Sequence, residues 1–141
     1  DGAKIFVLTA APADKARAVL HVHHGLGDHS GRYRQLAEAL VAEGFAVVCH
    51  DARGHGRTSE AAGLGLGRVP AGPEGAVPRM VADLGELIAA SRASRPSTPV
   101  FLLGHSFGTI ASQLCVGRGL AEVDGLLLSA PPVRLPALMK P

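Results

Sequence analysis

Short apolar runs with scarcely a polar face constrain this chain more than any other feature. Residues 45–50 (FAVVCH), 100–103 (VFLL) and 125–128 (GLLL) are of this kind. Such a strand must be covered on both sides, as it is inside a parallel sheet. The segments between the runs have room for the helices that parallel connections require. Residues 33–43 (YRQLAEALVAE) place Leu36, Ala37, Leu40 and Val41 at helical spacing, and Gly44 ends that helix. A second helix opens at Val77 or Pro78, carries Met80, Val81, Leu84, Leu87 and Ile88 on one side, and ends in SRASRPSTP. A third runs from Phe107 to about Arg118. Ahead of these, residues 4–9 (KIFVLT) and 18–23 (AVLHVH) are rich in β-branched and aromatic types and read as two strands joined by a turn. The alternation of strand and helix predicts an α/β fold, a mostly parallel sheet flanked by helices with right-handed crossovers. Residues 52–79, rich in glycine and proline and without periodicity, are expected to form a long surface loop.

Composition narrows the classes of function. The 141 residues are 47% hydrophobic and 18% charged, enough for a globular core, and 14 basic against 12 acidic residues leave a formal charge of +2. No run of Lys and Arg exceeds two residues, so neither nucleic acid nor an anionic membrane surface is indicated as a partner. The apolar runs fall far short of the roughly 18 residues that a membrane span needs. Cys49 and Cys115 lie among apolar neighbours and are expected as buried free thiols, which fits a reducing, intracellular compartment. The chain starts at Asp1 without a signal-peptide pattern, so a segment upstream is expected.

Residues 100–112 (VFLLGHSFGTIAS) hold the candidate chemistry. Gly104-His105-Ser106-Phe107-Gly108 matches G-x-S-x-G. The pattern follows a strand and precedes a helix, the context in which a serine is held on a strained turn with its hydroxyl exposed at the carboxyl end of a strand. Small residues on either side let the backbone make that turn. Acyl transfer builds negative charge on the substrate oxygen, so two backbone N–H groups must point at it. One candidate is Phe107, the residue after the serine. The other is Leu26, in the loop HHGLGDHSGRY (23–33), which also lies between a strand and a helix. The bland alternatives are a strand-to-helix turn with a solvated serine and a glycine-rich connection without chemistry.

Three blocks in order, HHGLGDHSGRY, HDARGHGRTSE and PVFLLGHSFG, resemble the α/β-hydrolase superfamily, and within it the monoacylglycerol lipase and lysophospholipase group with serine aminopeptidase S33-type domains. The resemblance runs from Asp1 to about Pro131. It implies a serine hydrolase of carboxylic esters, of monoacylglycerol or lysophospholipid type, working through an acyl-enzyme on Ser106 with Leu26 and Phe107 as oxyanion-hole donors. By the same resemblance His24 and Gly25 shape the oxyanion loop, and Gly104, His105 and Gly108 support the elbow. His50-Asp51 and Gly54-His55-Gly56 would support the site without reacting. The sequence departs from the pattern at Thr109, where many relatives carry a second glycine, and in the glycine-rich segment 61–75. Look-alike domains hydrolyse thioesters or N-terminal peptide bonds, and others are non-catalytic binding or scaffold proteins; these alternatives stay open.

A serine needs a base, itself oriented by a carboxylate, and in this superfamily both follow the serine along the chain. After Ser106 only Glu122 and Asp124 are acidic, and no histidine follows. Asp124 precedes the strand at 125–128 and falls at the amino end of the sheet, away from the site. Among the histidines, His21 and His23 point to one face of a strand, His24 and His29 fall in the oxyanion loop, His55 in the long loop and His105 beside the serine. None stands where the fold puts the base. The triad Asp and His are therefore expected outside this chain. Residues 1–141 would be the N-terminal portion of one α/β-hydrolase domain, ending at the start of the cap and nearly inactive alone. The strand at 125–128 would then be an open edge with apolar residues on both faces, inviting aggregation. No metal site is expected, since the histidines lack carboxylate or cysteine partners at ligand spacing, and no organic cofactor motif is present. GLGLG (63–67) follows no strand and lacks the spacing of a dinucleotide-binding loop. The expected partner is a small ester or lipid substrate, with peripheral membrane contact left open through the cap.

Overall fold

The apolar runs assemble into one five-stranded sheet in the computed structural model, which describes residues 2–69 and 75–132. In chain order the elements are β1 (Val7–Ala10), β2 (Val19–His23), a 3-10 turn (Ser30–Tyr33), α1 (Arg34–Ala42), β3 (Ala46–His50) and α2 (Gly56–Ala61). They continue with α3 (Ala76–Ser94), β4 (Val100–His105), α4 (Phe107–Gly117) and β5 (Gly125–Ser129). The strands lie in the order β1-β3-β2-β4-β5, with β2, β3, β4 and β5 parallel and β1 antiparallel to β3. This is the mostly parallel α/β sheet that the sequence predicts. Although a turn joins β1 to β2, both edges of β2 are taken by β3 and β4, so β1 pairs with the far edge of β3.

Two cores lie on opposite faces of the sheet. On one, Val19, Ala46, Val48, Val100 and Leu102 pack against Val81, Leu84 and Ile88 of α3 and Ala111 and Cys115 of α4. On the other, Val22, Val47 and Cys49 meet Ala37 and Leu40 of α1. Every residue of β3 is buried, which is why its sequence shows no polar alternation. Burial is also what holds the thiols of Cys49 and Cys115 up at about 12 and about 11, as unreactive free cysteines.

Residues 52–79 differ from the surface loop expected of them. Residues 70–74 lie outside the described residues; the rest contain α2, the start of α3 at Ala76 and a run of buried residues including Ala52, Gly54, His55, Thr58 and Ser59. Helix α2 has no apolar stripe to betray it because polar bonds hold it in place. Thr58 Oγ1 donates to Asp51 O at 2.7 Å and accepts the Phe6 N–H at 2.9 Å, and Ser59 Oγ donates to Leu64 O at 2.9 Å. Pro78 sits in the first turn of α3, where a proline costs no helical hydrogen bond.

At the amino end of the sheet, Asp124 accepts the Val100 N–H at 2.8 Å and pairs with Arg92 at 2.7 Å. These two bonds, the backbone one foremost, hold its carboxyl below the usual carboxylate range. Asp124 thus ties β4, β5 and α3 together, on the side of the sheet that the sequence placed it. At the sheet's edge, β5 leaves Leu127 and Leu128 47% and 40% exposed. Leu127 lines an apolar hollow of about 500 Å³ with Leu20, Leu40, Phe45 and Phe101.

Candidate active site

Ser106 stands between the last residue of β4 and the first of α4 with φ 52° and ψ −120°. A non-glycine residue in that region costs on the order of 1–3 kcal/mol and persists only where its surroundings enforce it. Here three bonds do so. The Ser106 N–H donates to Ser129 O at 2.9 Å, extending the pairing of β4 with β5, and Ser106 O accepts both the Thr109 N–H at 2.9 Å and the Thr109 hydroxyl at 2.6 Å. The flanking glycines are required by space. A β-carbon at Gly104 would stand 2.6 Å from Gly108 O and 2.7 Å from Ser112 Oγ, and one at Gly108 would stand 2.6 Å from His24 O. These contacts let α4 start directly against the carboxyl ends of β2 and β4.

The loop after β2 reaches the same point. A β-carbon at Gly25 would stand 3.2 Å from Ser106 Cβ, so this backbone lies against the serine with Leu26 next in line. His24 fixes the loop from behind. Its Nε2 accepts the Ala52 N–H at 3.0 Å, so the proton must sit on Nδ1, which donates to Gly25 O at 2.7 Å. Burial lowers the His24 pKa, in keeping with this neutral tautomer. Among the described residues, neither the Leu26 N–H nor the Phe107 N–H has an acceptor.

Asp51, at the carboxyl end of β3, organises the neighbouring loops. Its Oδ1 accepts the Ser30 N–H at 2.6 Å and its Oδ2 the Arg57 N–H at 2.8 Å, at the start of α2. Arg53, two residues on, pairs with Asp83 of α3 at 2.6 and 2.8 Å. A cleft of about 780 Å³ opens beside these loops, lined among others by Leu26, His29, Arg34, Asp51, His55 and Arg57. Ser106 does not line it.

The histidines divide by environment. His21 and His23 share one face of β2, as the sequence indicates, and burial holds both down to about 4. His21 Nε2 meets Ser91 Oγ at 2.9 Å, and His23 packs edge-on against His50 with ring centres 4.9 Å apart. His50 is buried completely enough that its pKa falls well below the usual value. His55 bonds Arg53 O through Nδ1, and His105 meets Ser129 Oγ at 3.2 Å. No group of three His, Cys, Asp or Glu side chains among the described residues could hold a metal ion, and no described helix is long and apolar enough to cross a membrane.

The structure therefore brings Gly25, Gly104, His105, Ser106 and Gly108 together, with His24, Leu26 and Phe107 directly beside them. What the sequence reading did not find is the part played by Thr109 and Ser129, whose bonds act on the backbone of Ser106. A Ser/Thr three residues after a turn can bond back to that turn's carbonyl, and the spacing of Ser106 and Thr109 carries that signal.

The family described as serine aminopeptidase, S33 matches residues 14–141, and the chain belongs to this family of α/β-hydrolases. The monoglyceride lipase of Rattus norvegicus is 32% identical over 131 residues, which are 93% of this chain and 40% of the rat protein. A thermostable carboxyl esterase from Bacillus coagulans, solved with glycerol, is similar with a TM-score of 0.79 at 30% identity, over 88% of this chain and 39% of that one. A soluble variant of monoglyceride lipase from Saccharomyces cerevisiae, solved with a substrate analog, shares the fold with a TM-score of 0.71 at 23% identity, over 96% of this chain and 44% of that one. This chain thus spans about two fifths of the length of these relatives.

Proposed function

We propose that the protein is a serine hydrolase of carboxylic esters, acting on monoacylglycerols or lysophospholipids through an acyl-enzyme on Ser106. The observation that carries this reading is the enforced left-handed backbone of Ser106, with Gly25 laid against it. In the reaction Ser106 Oγ bonds to the ester carbonyl carbon while its proton passes to a base. The carbonyl oxygen takes the negative charge and receives the N–H groups of Leu26 and Phe107. The tetrahedral carbon then expels the alcohol, which leaves with the proton. Water repeats the sequence on the acyl-enzyme and releases the fatty acid. The names of the relatives support a lipid ester as substrate, since the rat protein is a monoglyceride lipase and a Bacillus subtilis relative, 31% identical over 121 residues, is a phospholipase.

The base and its carboxylate partner belong, in this reading, to residues outside this chain. Both ring nitrogens of His24 are engaged, His21, His23 and His50 are buried, His29 and His55 line the cleft that Ser106 does not, and His105 meets Ser129. Removing the histidine of such a triad costs on the order of a millionfold in turnover, so residues 1–141 alone should hydrolyse a p-nitrophenyl ester no faster than their Ser106→Ala variant. The decisive experiment is labelling of the full-length protein with a fluorophosphonate. Labelling lost in Ser106→Ala supports the hydrolase; a folded protein that does not label supports the reading as a binding or scaffold protein.

A further inference from the structure

Each oxyanion donor belongs to a peptide unit whose other end is a carbonyl, and trans geometry aims the two ends in opposite directions. The chain has no cis peptide among its described residues. Whatever grips the carbonyl of residue 25 therefore aims the N–H of Leu26, and whatever grips the carbonyl of Ser106 aims the N–H of Phe107. Both carbonyls are gripped by side chains: Gly25 O by His24 Nδ1–H at 2.7 Å, and Ser106 O by the Thr109 hydroxyl at 2.6 Å.

We infer that Thr109 is a positioning residue for the oxyanion hole, its hydroxyl holding the Ser106–Phe107 peptide so that the Phe107 N–H faces the reacting oxygen, as His24 does for the Gly25–Leu26 peptide. The inference rests on the reading of Ser106 as nucleophile. Ser106 O already accepts the Thr109 N–H at 2.9 Å, so the hydroxyl is not needed to satisfy that carbonyl. It adds a second anchor to a peptide unit held at a strained residue. Thr109 is fully buried, and of the two χ1 rotamers open to a helical threonine it holds the one that bonds the carbonyl three residues back. A donor on the carbonyl also polarises the whole peptide and strengthens its N–H as a donor.

The test uses the full-length protein and two ligands. An alkyl trifluoromethyl ketone adds Ser106 Oγ and places an oxyanion in the hole, whereas the matching carbinol fills the same space without one. Thr109→Val, nearly isosteric, is expected to weaken the ketone and slow fluorophosphonate labelling by about tenfold or more, leaving carbinol binding within about twofold. Thr109→Ser restores both. Should Thr109→Val lose its cooperative melt, Thr109→Ala carries the same comparison. If ketone and carbinol weaken together, or neither changes, the positioning role is overturned while Ser106 stands. If the wild type labels no better than Ser106→Ala, the reading of Ser106 fails and takes this inference with it.

Discussion

Gly25 and Ser106 touch backbone to side chain, close enough that a β-carbon at 25 would stand 3.2 Å from Ser106 Cβ and 3.5 Å from His105 O. Gly25 does not have a positive φ, so Gly25→Ala meets no backbone strain, and its effect comes from this contact alone. The loop must yield by a few tenths of an ångström, and the Leu26 N–H moves with it. We expect fluorophosphonate labelling of the full-length protein to slow by about 10- to 100-fold, since losing one oxyanion donor outright costs on the order of 3 kcal/mol. The thermal midpoint should hardly change. Labelling at the wild-type rate would show that the loop does not set the geometry of the site.

At Gly108 two effects oppose each other. Gly108 lies in the first turn of α4, where alanine would gain about 1 kcal/mol of helix propensity. Its β-carbon would collide with the carbonyl oxygens of His23 and His24, which are backbone and fixed in β2 and the loop behind it. Overpacking against rigid neighbours costs typically ~1–3 kcal/mol or more, so the clash should win. Gly108→Ala is expected to lower the stability of the chain by about 2 kcal/mol in urea unfolding. A stabilised variant would mean that α4 can move away from β2.

The contrast between these glycines and the rest of the site shows what a sequence exposes. Gly104, Ser106 and Gly108 were legible because steric necessity leaves few residue types able to turn a strand into a helix within one residue. The buried runs of β3 and β4 were legible because covering both faces removes every polar position. Helix α2 was not, because Thr58, Ser59 and Asp51 hold it through side-chain bonds to the backbone of Phe6, Asp51, Arg57 and Leu64, and such bonds leave no period. His24 was legible as part of a loop, but its tautomer is set by the N–H of Ala52, just past the end of β3. Thr109 read as a departure from a glycine; its spacing from Ser106 permits a bond back to that carbonyl, and the 2.6 Å distance shows the bond is made.

The buried histidines make stability depend on pH. His21 and His23 are held down to about 4 by burial, and His50 falls well below its usual value. In the unfolded chain each titrates near 6.5. Between those values the unfolded state binds protons that the folded state refuses, so their contribution is complete above pH 6.5 and is lost as pH falls towards 4. Each of His21 and His23 accounts for about 3 kcal/mol over that interval. Against a total stability of roughly 5–15 kcal/mol for a domain, acid unfolding should set in well above pH 4. Urea midpoints measured at pH 7 and pH 5 are expected to differ clearly; equal midpoints would contradict the burial of these rings.

Asp51 should matter for structure before chemistry. Its two oxygens accept the N–H groups of Ser30 and Arg57, and hydrogen bonds to a charged group are worth ~1.5–3 kcal/mol each. Asp51→Ala leaves both donors without their acceptor, one of them at the start of α2, where a negative charge also favours the helix. A loss of about 3 kcal/mol is expected, with hydrogen exchange accelerated first at the amides of Ser30 and Arg57. Unchanged protection at those two amides would show that the loops do not hang on this carboxylate.

The β5 edge makes a prediction about the 141-residue chain handled by itself. Leu127 and Leu128 are 47% and 40% exposed on an edge strand, on opposite faces of the sheet, with the apolar hollow of Leu20, Phe101 and Leu127 beside them. An edge that offers both unpaired backbone and apolar side chains is a template for further strands. Residues 1–141 should therefore self-associate in sedimentation velocity. About half of each leucine is buried, so Leu127→Lys with Leu128→Glu should cost about 2–3 kcal/mol together. Charges at an edge oppose strand addition, so the double variant is expected to sediment as a monomer. If the wild-type chain is itself monodisperse, or the double variant still associates, the association does not run through β5.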